Sequence, residues 1–249
     1  MITTVQQKTE EDFELLPDPE RIVNGLRDTG YNFNTAVADI VDNSIAANAT
    51  KINIEVNMDP NMQVKVYFAD NGCGMDLDGL KNAMKYGSKE RIEKNSLGKF
   101  GLGLKTASTA FCKQFSLISR NSPDSELRKV QWDLDYIANN GSWLLQFPVI
   151  DSDEEDMLNM VAEGSSGTLL VWEKIDRLMK NYKNFKNAQN GLNKILEELR
   201  FHLSMVFQRY LDKNDSRAHN VEITVNTQSV SPWEPFCTKE TNTELLPEE

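Results

Sequence analysis

The stretch Asn34-Thr-Ala-Val-Ala-Asp39-Ile-Val-Asp42-Asn43-Ser-Ile-Ala-Ala-Asn-Ala49, followed by Lys51-Ile-Asn-Ile-Glu-Val56 and by Val64-Lys-Val-Tyr-Phe-Ala-Asp70-Asn-Gly72-Cys-Gly74-Met75, decides the fold. Asn34 is a good helix N-cap, and Val37, Ile40, Val41 and Ile45 recur at helical spacing, so 34 to 49 reads as an amphipathic helix. Ile52, Ile54 and Val56 then alternate with polar residues, and Val64, Val66 and Phe68 do the same after the Asp-Pro-Asn turn at 59 to 61. This is a β-hairpin whose second strand runs straight into Asp70.

Outward from this unit, a helix is predicted from about 77 to 85, then a polar, charged stretch at 86 to 96 that reads as mobile. The segment Gly98-Lys99-Phe100-Gly101-Leu102-Gly103-Leu-Lys105 leads into a helix over 103 to 111. Strands are predicted at 115–120, 128–135, 143–149 and 167–173, several with period-two alternation. That order of elements implies an α+β fold: a mixed, mostly antiparallel sheet with helices on one face. A long helix follows at 192–211, where Leu192, Ile195, Leu196, Leu199, Leu203, Val206, Phe207 and Tyr210 form an apolar stripe, and then a strand at 221–225. The reading divides the chain into an N-terminal arm (1–19), a main domain (20–175) and the start of a further unit (176–249).

Composition excludes several classes. With 249 residues and 39% apolar content the chain can bury a sizeable core. Its formal charge of −11 argues against gripping nucleic acid over its whole surface, since phosphate contacts need clustered Lys and Arg, and leaves direct nucleic-acid binding as an open point. The acidic run Asp151, Asp153, Glu154, Glu155, Asp156 reads as a solvated loop or tail. Cys73, Cys112 and Cys237 are odd in number and lack metal-ligand spacing, which fits a reduced, cytoplasmic setting. No apolar run is long enough to span a membrane.

Three segments carry chemistry. Asp39 and Asn43 lie one helical turn apart on one face, where an amide oxygen suits Mg²⁺ and a carboxylate suits the orientation of an attacking water. Asp70 ends a strand and meets Gly72 and Gly74, so a carboxylate is set beside backbone free to bend against a ligand; it can accept a hydrogen bond from an exocyclic amine, and Met75 can pack on a ring. Gly98, Gly101 and Gly103 enter a helix N-terminus, where amides approach phosphates, with Lys99 and Lys105 adding positive charge. Taken singly, each has a plainer reading: a polar stripe, an Asp-Asn-Gly turn, a glycine-rich connector. The glycine segment is neither a Walker A loop nor a Rossmann fingerprint.

In order and spacing together, the three segments resemble the GHKL ATPase superfamily, which groups DNA gyrase, the ninety-kilodalton heat-shock chaperone, histidine kinases and the MutL mismatch-repair proteins. Asp39 to Asn43 is similar to the N box, Asp70 to Met75 to the first glycine box, and Gly98 to Lys105 to the second glycine box with its ATP lid. Tyr86-Gly-Ser-Lys89 and the run after Gly103 look most like the MORC and heat-shock-chaperone branches. The resemblance implies a Bergerat-type two-layer α/β sandwich, with residues 176–249 opening a transducer-like domain. It implies ATP and Mg²⁺ as cofactors: Asp39 as the base, Asn43 on Mg²⁺, Asp70 on the adenine amine, Gly72, Gly74 and Met75 around the base, Thr168 as a further contact near adenine. Lys89, Gly98, Lys99, Phe100, Gly101, Leu102, Gly103 and Lys105 would then lie along the phosphates. Two departures bear on rate: Asp39 stands where the family usually has Glu, and Ala46 where it usually has an acid.

Three functions follow as expectations. The first is a Mg²⁺-dependent ATPase whose nucleotide state drives lid closure and homodimerisation or engagement of a protein partner. The second is an ATP-binding regulatory module with little or no turnover. The third is a histidine kinase, disfavoured because His202 is followed by Leu203 instead of an acid. Chaperone-like, chromatin or DNA-related, and anti-phage processes are all compatible with the pattern, as are a stand-alone protein and one part of a longer assembly.

Overall fold

The computed structural model describes residues 18–28, 30–85, 103–179 and 181–234. Most of the expected N-terminal arm, the Tyr86 to Lys89 motif, and the expected site residues Lys89, Gly98, Lys99, Phe100, Gly101 and Leu102 lie outside them, as does Cys237.

The hairpin at the centre forms as its alternation dictates. Strands β1 (Lys51–Met58) and β2 (Val64–Asp70) pair antiparallel with Ile54 opposite Phe68 and Val56 opposite Val66, which puts one apolar set on one face. β2 also pairs with β5 (Gly167–Ile175), β5 with β3 (Cys112–Arg120), and β3 with β4 (Arg128–Asp133), all antiparallel. On the other side β1 pairs parallel with β6 (Glu222–Val225), and β6 with β7 (Gln228–Ser229), giving the order β4-β3-β5-β2-β1-β6-β7. The sheet is therefore mixed and mostly antiparallel, as the sequence implies.

The helical layer covers one face. Helix α2 (Phe33–Ala46) buries Ala36, Val37, Ile40, Val41 and Ile45. Its cap is Asn32, whose side chain accepts from the Asn34 amide, two residues before the expected cap, because Phe33 belongs to the buried face as the first helical residue. Around it sit α1 (Pro19–Arg27), α4 (Gly103–Phe111) and α7 (Phe185–Val206), while α3 (Leu77–Met84) follows the Asp70 turn. Trp172 lies at the middle of this core, within ring contact of Phe33, Phe68 and Phe111, and its indole N–H donates to Ser108.

Four local expectations need correction. The acidic run at 151–156 is the start of helix α6 (Ser152–Ala162): Asp151 and Glu154 form a reciprocal capping box, and further carboxylates in the first turn suit the positive end of the helix dipole. This helix lies on the opposite face of the sheet, where Leu158, Val161 and Ala162 close over Ala69, Ile118, Leu169 and Val171, and Glu154 pairs with Lys129 in a buried contact. One helix thus packs on the second face, which the sequence reading leaves without helices. Residues 143–149 make a single bridge, Gln131 to Gln146, instead of a strand; their alternation points Phe147 and Val149 outward, and Pro148 has no N–H to give a ladder. The strand expected to reach 135 stops at Asp133, whose carboxylate caps helix α5 (Leu134–Asn140). The long C-terminal helix starts at Phe185, capped by Asn184, and breaks at Phe207 before the short α8 (Gln208–Leu211).

Residues 176–234 complete the sheet and the core begun upstream. Leu192, Leu196, Leu199 and Leu203 of α7 and Val221, Ile223 and Val225 around β6 join the same apolar cluster as α2 and β1. Asp176 itself pairs with the buried Arg27 of α1, which also donates to the Cys112 carbonyl. No described helix is long and apolar enough to cross a membrane.

Candidate nucleotide site

Asp70 is where the hairpin delivers a carboxylate into the interior. It is 7% exposed, and its two oxygens accept from the Ser44 hydroxyl at 2.8 Å and the Gly72 amide at 2.9 Å, with a further backbone hydrogen bond from Thr168. Burial raises its pKa above the ordinary carboxylate value, while those three donors pull the other way. The turn after it is possible only with small residues. A Cβ on Gly72 would stand 2.8 Å from the Ala47 side chain, and Gly74, at φ +62°, would put one 1.9 Å from the Arg120 carbonyl oxygen.

Ser119 ties this turn to the opening of β5. Its hydroxyl donates to the Gly167 carbonyl at 2.7 Å and accepts from the Met75 amide at 2.8 Å, with the Thr168 hydroxyl 3.0 Å away. Asp70, Gly72, Gly74, Met75 and Thr168, separated by nearly a hundred residues, are therefore brought together by the β2–β5 pairing in which Asp70 lies opposite Thr168.

Helix α2 carries the second group. Asp39 and Asn43 are both half-buried, and the Asn43 side-chain amide donates to the Asp39 backbone carbonyl at 2.8 Å. That commits the nitrogen and leaves Oδ1 as the acceptor. Asp39 receives the Tyr31 hydroxyl on Oδ2 at 2.7 Å. Asp42, between them in sequence, is pushed up to about 6 by burial and then by the neighbouring Asp39 charge. One peptide unit separates Asn43 from Ser44, so the helix that presents Asp39 and Asn43 also grips Asp70.

Helix α4 opens at Gly103 and carries Lys105, one of the residues expected along the phosphates. Lys105 is 1% exposed, donates from Nζ to the Ala83 carbonyl of α3 at 2.8 Å, and burial lowers its pKa to about 8. It braces α4 against α3. Four supporting residues escaped the sequence reading: Ser44, Ser119, Tyr31 and Thr106. Only Ser44 carried a signal, being next to Asn43; Ser119 and Thr106 gain their partners through pairing and packing across the fold.

Among the described residues no group of three or more His, Cys, Asp or Glu side chains could hold a metal ion. A hard cation here would need substrate phosphate and water oxygens besides Asn43 Oδ1, which is how Mg²⁺ sits on nucleotides.

A family model described as "Histidine kinase-, DNA gyrase B-, and HSP90-like ATPase" matches residues 31–168, more than half of the chain. Among curated relatives, the mouse protein ATPase MORC2B is 34% identical over 89 residues, covering 34% of this chain and 9% of that protein. The human protein ATPase MORC2 is 32% identical over 89 residues, with the same shares, and Protein MICRORCHIDIA 1 of Arabidopsis thaliana is 27% identical over 139 residues, 53% of this chain and 22% of the relative. The matches thus span less than a quarter of these relatives' length. A solved structure described as the N terminal domain of a DNA repair protein aligns over 84% of this chain and 51% of its own, with 23% identity and a TM-score of 0.45.

Proposed function

Since the chain belongs to the family of histidine kinase-, DNA gyrase B- and HSP90-like ATPases, we propose that it binds ATP with Mg²⁺ at the end of β2 and along α2, and hydrolyses it to ADP and phosphate. The observation that carries this reading is Asp70. A carboxylate so fully desolvated, held by three donors yet kept at a strand end beside glycine turns, suits recognition of a neutral amine such as the adenine N6 group.

In this reading Met75 and Thr168 border the base, and the half-buried face of α2 meets the phosphates. Asn43 Oδ1 would hold Mg²⁺. The ion, when bound, neutralises charge on the phosphate oxygens. Asp39 takes a proton from water as that oxygen bonds the γ-phosphorus; the bond to the β–γ bridging oxygen breaks, and ADP and phosphate leave. Lys105, whose amine also ties α4 to the Ala83 carbonyl of α3, would add positive charge on the phosphate side. Closure of residues 98–103 over the phosphates, and dimerisation or partner engagement following nucleotide state, belong to the same proposal. With a net charge of −11, a protein partner suits the surface better than nucleic acid.

A second reading, an ATP-binding module with little turnover, is favoured by Asp39, one methylene shorter than Glu, and by the exposed Ala46 where an acid is usual. Titration of ATP, ADP and a non-hydrolysable analogue in the presence of Mg²⁺, on wild type and Asp70→Asn, tests both. Binding lost by at least about 100-fold in Asp70→Asn, equivalent to about 2.7 kcal/mol, supports the adenine role. Phosphate release by wild type then selects the ATPase over the silent module, and no binding to wild type defeats both readings.

A further inference from the structure

Tyr31 precedes the cap of α2 and returns its hydroxyl along the helix to Asp39, donating to Oδ2 at 2.7 Å. Among the described residues it is the one side-chain donor on that carboxylate. The same hydroxyl hydrogen-bonds the Thr106 side chain, in the first turn of α4, and Thr106 Oγ1 also lies 3.2 Å from the Gly103 carbonyl. The Tyr31 ring packs partly buried against the main core, and α2 and α4 are direct neighbours, so the phenol is held in place from both sides. Burial, and then the bond to Asp39, raise the Tyr31 pKa, which keeps the phenol protonated and able to donate.

This arrangement answers a physical difficulty. A half-buried aspartate can turn about two torsions and offer either oxygen, and a general base misplaced by about 1 Å costs about 100-fold in rate. A donor fixed on Oδ2 removes that freedom and leaves Oδ1 to face water. We propose that Tyr31 is a positioning residue for Asp39 in ATP hydrolysis, and that through Thr106 it makes the aim of that carboxylate depend on the seating of α4, the helix that follows the glycine segment. The inference rests on the ATPase reading above.

The test is Tyr31→Phe, which deletes one oxygen and keeps the ring, assayed for ATP affinity by titration and for kcat by single-turnover phosphate release. The expected result is a Kd within about twofold of wild type and a kcat lower by about 10- to 100-fold. On the Asp39→Asn background the same substitution should cost less than about twofold more, since the group it positions is gone. Thr106→Val, a second variant on the other end of the relay, should lower kcat by about threefold at unchanged Kd. Wild-type kcat in Tyr31→Phe overturns the proposal and leaves the ATPase reading standing. So does a loss of kcat that is equal with and without Asp39, or one matched by an equal loss of affinity, because either marks a merely structural tyrosine. Absence of phosphate release from wild type removes the ATPase reading and this inference together.

Discussion

Asp70 and Asp39 are carboxylates of one candidate site in opposite circumstances. Asp70 is enclosed, takes three hydrogen bonds from α2, the glycine turn and β5, and is followed by two glycines whose surroundings leave no room for a side chain. Asp39 is half-buried and, among the described residues, receives one side-chain donor, the Tyr31 hydroxyl. Under the proposed function the difference separates two tasks. A group that reads a ligand edge gains from being immobile before the ligand arrives, since ordering it later would subtract from affinity. A group that moves a proton must stay near water, and its aim can be adjusted by a single neighbour.

The largest effect expected from this contrast is on turnover. Asp39→Asn should cut phosphate release by 10²-fold or more, about 2.7 kcal/mol or greater, while ATP affinity by titration stays within about threefold. If affinity and turnover fell together, the division of labour would be wrong. Next comes Gly74→Ala, where a Cβ 1.9 Å from the Arg120 carbonyl at a positive φ must displace backbone. Destabilisation of about 3 kcal/mol or more is expected, read as a fall in Tm of about 6–12 °C; an unchanged Tm would show that the Asp70 turn is not the rigid half.

Ser44→Ala sharpens the comparison further. It deletes a donor to the buried Asp70 carboxylate without touching Asp39, so ATP should bind about tenfold more weakly, about 1.4 kcal/mol, with kcat at saturation unchanged. The smallest effect concerns Lys105. Its pKa falls from the ordinary 10.5 to about 8 on burial, so between these values the unfolded chain holds a proton the folded one does not, and stability rises with pH through that window. Thermal melts from pH 7.5 to 10 should show a rise of a few degrees in wild type that is absent in Lys105→Met. An identical profile in both would mean that the buried ammonium is stabilised by its carbonyl as well as by water.

Much of the candidate site's local geometry was legible because each of its motifs is a local statement. The spacing of Asp39 and Asn43 states a shared helix face, and the alternation ending at Asp70 states a strand end; both need only neighbouring residues. Ser119 and Thr106 were not legible, since a hydroxyl on a strand or helix declares nothing until another segment is laid against it. Lys105 illustrates the same limit from the other side. Its place after a glycine segment suggests a phosphate contact, and the tertiary structure adds a hydrogen bond from its amine to the Ala83 carbonyl of α3. The run at 151–156 misled through composition: the same carboxylates that suit a solvated loop also suit the first turn of a helix, and the apolar residues that decide between them, Leu158, Val161 and Ala162, come later and are few.

By itself, then, the amino-acid order determined the helix–hairpin–glycine-turn unit, the mixed α+β class and the family, because periodicity, turn chemistry and motif spacing act over a few residues at a time. Tertiary structure alone decided that β6 returns to pair parallel with β1, that residues beyond 176 share the first core, that a helix closes the sheet's second face, and that Tyr31 meets Asp39. Each of those contacts joins segments whose pairing is chosen by the burial of the whole chain, a quantity that no local window of sequence contains.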